Sequence, residues 1–168
     1  MRNRAVTVRN SKGFSLTELI VVIGIAGAMM AIAAPSIISQ ISHLRLTRSV
    51  RDVVTELNAA RFKAIAKNKR YQVEFTINSG VTPPDSYQLQ SWDDGTAAYV
   101  DEPGRAAGLL GDGISITSPG GPTFNTEFYP NGASTATSIC IDNTQKANDR
   151  MKVTVTGTTG MIKVTTGC

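Results

Sequence analysis

The chain is poor in the side chains that carry acid–base, thiol and metal chemistry. Among its 168 residues there are one histidine, one tryptophan and two cysteines, and aromatics make up 6%. With His43 as the sole imidazole, read here as a solvated helix residue, neither a His-based metal site nor a Ser-His-Asp triad can be assembled. No HExxH, GxSxG, P-loop or dinucleotide fingerprint occurs, so catalysis would have to rest on scattered carboxylates. The expectation is a protein with no catalytic residues, no metal and no cofactor.

Acid is missing from the first thirteen residues, which carry Arg2, Arg4, Arg9 and Lys12. Between Phe14 and Ser42 the only ionisable side chain is Glu18. The formal charge of +4 therefore resides at the amino terminus, and residues 14–168 hold 13 bases and 13 acids. That neutral body lacks the basic footprint of a free-standing nucleic-acid-binding protein. It is polarised, however: residues 45–70 sum to +6 and residues 71–168 to −5.

What is present is a long apolar run, Leu19 to Ala34, without interruption. As a helix, Phe14 to Ala34 spans roughly 30 Å, the thickness of a bilayer core. The preceding basic residues hold the short end in the cytoplasm and send the rest outward. A secretory signal opens in the same way and ends in a small-residue cleavage site, which Ala31 to Ala34 imitates. A buried core helix is the other alternative, opposed by length and flanks.

Lys12-Gly13-Phe14-Ser15-Leu16-Thr17-Glu18 resembles the processing site of type IV prepilins. The resemblance implies that prepilin peptidase cuts after Gly13, removes residues 1–13 and methylates the new amine of Phe14. It also places Glu18 at the family's acidic fifth position of the mature chain, where it acts in assembly, and Pro35 at the twenty-second, where a helix kink is common. A carboxylate inside a bilayer costs roughly 2.5–3.5 kcal/mol on insertion scales, so Glu18 needs a partner or an interface. The amine of Phe14, its own or a neighbour's, is one candidate; snorkelling to the cytoplasmic interface is the other.

Beyond Pro35, which removes a backbone donor, Leu46, Val50, Val53, Val54, Leu57, Ala60 and Ala64 recur at steps of three and four. This predicts one helix from about Ser15 to Ala66, apolar all round and then amphipathic. Its +6 face is either solvated, set against acidic headgroups, or packed on acidic surfaces of neighbouring subunits.

After Arg70, seven runs read as strands: Tyr71 to Ile77, Tyr87 to Trp92, Ile114 to Thr117, Thr123 to Tyr129, Thr137 to Ile141, Arg150 to Thr156 and Met161 to Thr165. The last two flank Gly157 to Gly160 and should form a hairpin, with Val153 and Val155 facing Ile162 and Val164. Asp93 to Asp112 shows little period and reads as a loop. The fold class is α+β, a long N-terminal helix packed on antiparallel sheet, divided into a leader (1–13), a transmembrane or filament-core helix (14–42), its amphipathic continuation (43–70) and a β-rich head (71–168).

Phe128-Tyr129-Pro130-Asn131-Gly132, followed by a strand and a closing hairpin with Gly160, Ile162 and Val164, is similar to the GspH/FimT (FimU-like) minor pilins. The resemblance implies a minor pilin of a type IV pilus, made at low copy, anchored in the bacterial inner membrane with its head in the periplasm. Its partners would be prepilin peptidase, other minor and major pilins, and inner-membrane lipid. The alternative is the corresponding pseudopilin of a type II secretion system.

A third possibility is DNA uptake, since some FimT-like pilins use a Gly-Arg-x-Arg hairpin. The matching positions here, Gly160-Met161-Ile162-Lys163, lack both arginines, leaving Lys146, Arg150, Lys152 and Lys163 as candidate phosphate contacts. Cys140 and Cys168, an even pair in an exported domain, should form a disulfide, with two free thiols as the alternative.

Overall fold

A computed structural model describes residues 13–78 and 84–168, with the side chains of 32–39 left aside. Within that range it contains one helix and nine strands, and the chain divides into two compact units between Ile38 and Ser39.

Helix α1 (Leu16–Lys67) carries Glu18 in its first turn, where a carboxylate opposes the positive helix end. It stops at Asn68, whose φ of 51° closes the last turn, with Lys69 N–H donating to the Ala64 carbonyl. In the first unit, the large apolar side chains from Phe14 to Met30 are exposed among the described residues. Among the described residues no helix is long and apolar enough to cross a membrane. Pro35, where a kink is expected, falls within the continuous helical assignment of α1 with its side chain left aside, and the leader apart from Gly13 lies outside the described residues.

In the second unit, Leu46, Val50, Val53, Leu57, Ala60 and Ala64 are buried, the stripe the three-four spacing predicts, with Val54 at its margin. They pack on two antiparallel sheets. One comprises β1 (Tyr71–Thr76), β2 (Ser86–Asp93), β3 (Ala98–Asp101), β4 (Gly108–Leu109) and β6 (Thr123–Phe128), in the order β3-β2-β1-β6 with β4 also on β2. The other runs β5 (Ile114–Ser118), β7 (Thr137–Asn143), β8 (Arg150–Val155), β9 (Ile162–Thr166). Tyr71, Val73, Phe75 and Leu89 from the first sheet and Ile139, Ile141, Val153 and Val155 from the second complete a single core. Buried Asp85 ties the sheets, accepting from the Asn78 and Ile116 backbones and from Ser115 Oγ.

The seven expected strands are present, with bounds shifted by at most two residues. The closing hairpin has the expected register, Val153 opposite Val164 and Val155 opposite Ile162.

Asp93 to Asp112 is not the loop its sequence suggests, since it contains β3 and β4. Neither strand has an alternating pattern to read. Their pairing comes from β2, with Trp92 opposite Tyr99 and Ser86 opposite Leu109, and tertiary pairing overrides weak local preference.

Candidate assembly surfaces

Gly13 and Phe14 precede α1 in extended, exposed chain, and Phe14 is 85% exposed. Glu18 is exposed one turn into the helix, on the same unit as Phe14. The segment is thus open for recognition and has no packing of its own to lose.

Part of the basic face of α1 is occupied from within. Lys63 Nζ lies 2.6 Å and Lys67 Nζ 3.5 Å from Glu102 Oε1, and Arg105, from the stretch between β3 and β4, places Nη2 2.5 Å from Glu56 Oε2. Gly111 N–H donates to Ser49 Oγ at 3.1 Å, and Leu110 is buried. The 98–111 segment is therefore a strap fastened along the helix. Burial works against ionisation of Glu102, but the two ammonium groups outweigh it and hold the carboxyl below its usual range. Glu102, one of the acids expected to meet neighbouring subunits, is thus spent on the chain's own helix, which the sequence could not show because the partners are far apart along it.

His43 is not simply solvated: its Nδ1 sits 2.8 Å from Asp149 Oδ1, joining α1 to the connection after β7. Burial raises the Asp149 carboxyl, and hydrogen bonds from Asn143 and His43 reverse the sign and bring it below the ordinary range.

A further cluster escaped sequence reasoning. Across the outer face of the first sheet lie Tyr99, Trp92, Arg70 and Tyr129, with the Arg70 guanidinium 3.9 Å from the Trp92 ring centre and Trp92 edge-on to Tyr99. Glu127 gathers them, accepting from the Tyr99 and Tyr129 hydroxyls and lying 3.6 Å from Arg70 Nη1. Burial, then the Glu127 contact, pushes the Tyr99 hydroxyl pKa up; for Tyr129 the hydrogen bond to Glu127 leads. The only available signal was the lone Trp in an alternating run.

Cys140 and Cys168 form a disulfide with Cα atoms 6.0 Å apart. It reaches from beyond β9 across β8 to β7, fastening the carboxyl terminus to the second sheet. Asp142 Oδ1 lies 3.2 Å from Cys140 Sγ, but sulfurs bonded to each other are not thiolate ligands, so this trio holds no metal while oxidised. Of the candidate DNA contacts, Arg150, Lys152 and Lys163 share the outer face of the second sheet. Asp142 lies 3.6 Å from Arg150, and Lys146 stands in the connection before β8.

The turn Tyr129 to Ala133 is closed by Gly132 N–H to Tyr129 O and Tyr129 N–H to Ala133 O, both 2.9 Å, with Gly132 at φ 84°. These features coincide with a match to the family model for the type II transport protein GspH over residues 49–159, while residues 8–34 match the prokaryotic N-terminal methylation motif. The chain belongs to the GspH family. Two curated fimbrial proteins of Pseudomonas aeruginosa are each 30% identical to this GspH-family chain over 122 residues, covering 66% of it and 79% of themselves.

The fold is shared with the minor pseudopilin EpsH from the type 2 secretion system of Vibrio cholerae. That structure superposes with a TM-score of 0.58 at 12% identity, covering 73% of this chain and 97% of EpsH. This member of the GspH family is accordingly a type IV pilin-like minor pilin or pseudopilin, a structural subunit with the methylation motif at its amino terminus.

Proposed function

We propose that the chain is a minor pilin of a type IV pilus. Prepilin peptidase removes residues 1–13 by cutting after Gly13 and methylates Phe14. The apolar start of α1, within residues 14–42, then anchors the subunit in the inner membrane and later packs in the filament core, with 43–70 continuing the helix and 71–168 forming the periplasmic head. Glu18 neutralises a charged amine, its own or a neighbour's Phe14 terminus, once helices pack and water is excluded. At low copy the subunit primes assembly or sits at the tip.

The observation that favours a pilus is the 30% identity, over 122 residues, to the P. aeruginosa fimbrial proteins. The second reading, a pseudopilin of a type II secretion system, is supported by the name of the matching family and the EpsH-like fold.

Deleting the chain separates them. Loss of surface pili with normal release of folded exoproteins supports the pilus, and retained pili with blocked release supports the secretion system. Glu18→Ala should leave membrane insertion intact and deplete the protein from sheared filaments; wild-type levels there would refute the assembly role.

A further inference from the structure

Arg61 stands apart from the other cations at the end of α1. Lys63 and Lys67 meet Glu102, and Arg70 meets Glu127 and Trp92, whereas Arg61 meets no carboxylate among the described residues. Its Nε is buried and has no hydrogen-bond partner among the described residues. The β8–β9 turn covers it: a Cβ built on Gly160 would fall 3.1 Å from that Nε and 3.3 Å from Cδ. Arg61 also lines an open groove of about 350 Å³ together with Asn58, Phe62 and Ile65.

Apart from Asn58, the rest of this surface is apolar. Phe62 is 73% exposed, Ile65 49%, and Met161, next to Gly160, 55%. Gly132 closes the far side, since a Cβ there would touch Ile65 Cδ1 at 3.6 Å. A lone cation without an internal counter-ion, set among exposed apolar side chains, is complementary to an apolar segment carrying one carboxylate. Arginine and aromatic residues are also the side chains that dominate protein interfaces. Phosphate polymers and anionic membranes are bound by several cations together, and this patch has one. A second copy fits poorly: its Glu18 is assigned above to a terminal amine of Phe14, Asp52 is flanked by Arg51, Asp94 and Asp112 are flanked by glycine or acid, and Asp101 accepts from Gln90.

We propose that the Arg61–Phe62–Ile65 patch docks a different pilin-type subunit, through a segment in which a carboxylate is flanked by apolar side chains. The proposal rests on the subunit reading above and adds the place and chemistry of one contact.

The test uses the full-length chain, expressed with its co-assembling subunits, carrying the photo-crosslinker benzoylphenylalanine at position 62 or, as a control, at exposed position 44; cross-linked peptides are mapped by mass spectrometry. Position 62 should cross-link to an acid-containing segment of another pilin-type subunit. Arg61→Ala should lower that yield roughly thirtyfold, as expected for a hot-spot side chain, and Arg61→Lys less. Arg61→Glu should lose the cross-link and regain it when the partner's acid is changed to Lys, which separates a lost contact from a misfolded variant.

Cross-links from position 44 to pilin subunits, with none from 62 or only to lipid, nucleic acid or a second copy, would overturn the docking proposal and leave the subunit reading standing. No subunit cross-link from either position, with the protein absent from filaments, would overturn both.

Discussion

The carbonyl of Gly132 lies against the α-carbon of Gly160, so close that a Cβ at Gly160 would fall 2.5 Å from that oxygen. Two turns 28 residues apart in sequence, both part of the GspH/FimT-like pattern, are thus one structural unit beside Arg61. Glycine is required at position 160 twice over, by this approach and by its φ of 60°. Gly160→Ala should destabilise the protein by roughly 2–3 kcal/mol. Gly104→Ala, at φ 76° with nothing within 4 Å, carries the backbone strain alone and should cost about 1 kcal/mol. Equal costs in denaturant titrations of the full-length protein in detergent would show that the close approach contributes nothing.

The carboxyls of Glu102 and Asp149 are both held below their ordinary range. A depressed folded-state pKa contributes stability that is complete above the unfolded value, near 4, and disappears as pH falls through the lower folded value. Thermal midpoints should therefore be flat from neutral pH to about 5 and fall below about 4. Glu102→Gln should cost about 1–2 kcal/mol at neutral pH, through loss of charge-assisted bonds to Lys63 and Lys67, and should shrink the acid-side decline. Parallel pH curves for the two proteins would contradict the assignment to Glu102.

The Cys140–Cys168 bridge closes a loop with a sequence separation of 28. In the chain-entropy description this contributes roughly 3–4 kcal/mol. Cys168→Ser should lower stability by about that amount and increase hydrogen exchange in β9, whose free edge and exposed residues give it little other support. Unchanged exchange in β9 would mean that its ladder to β8 suffices.

Thr126 is fully buried, yet its hydroxyl has no hydrogen-bond partner among the described residues. Removing an unsatisfied buried hydroxyl while keeping shape relieves its desolvation cost, so Thr126→Val should stabilise by about 1 kcal/mol. Destabilisation in the same assay would reveal a partner for Oγ1.

Which parts of this structure were legible in the sequence follows from the range of the forces involved. The buried stripe from Leu46 to Ala64 and the strands from Tyr71 and Arg150 announce themselves through local periodicity. The short β3 and β4 do not, because β2 determines their pairing. Charge counts located the cationic helix, but the meeting of Lys63 with Glu102 and of His43 with Asp149 depends on the folded strap and the β7–β8 connection. The Trp92–Arg70–Glu127 cluster draws on β2, β6 and the residue before β1 and has no signature along the chain. The segment holding Gly13 and Glu18 was recognisable for the opposite reason, since its motif is contiguous, and residues 8–34 match the N-terminal methylation motif.

The most direct test of the central claim is the mass of the amino-terminal peptide of the protein recovered from sheared filaments. N-methylated Phe14 as the first residue, in the filament fraction, is the expected result. A chain that retains Met1, or one cut after Ala34 and found only in soluble form, would contradict it.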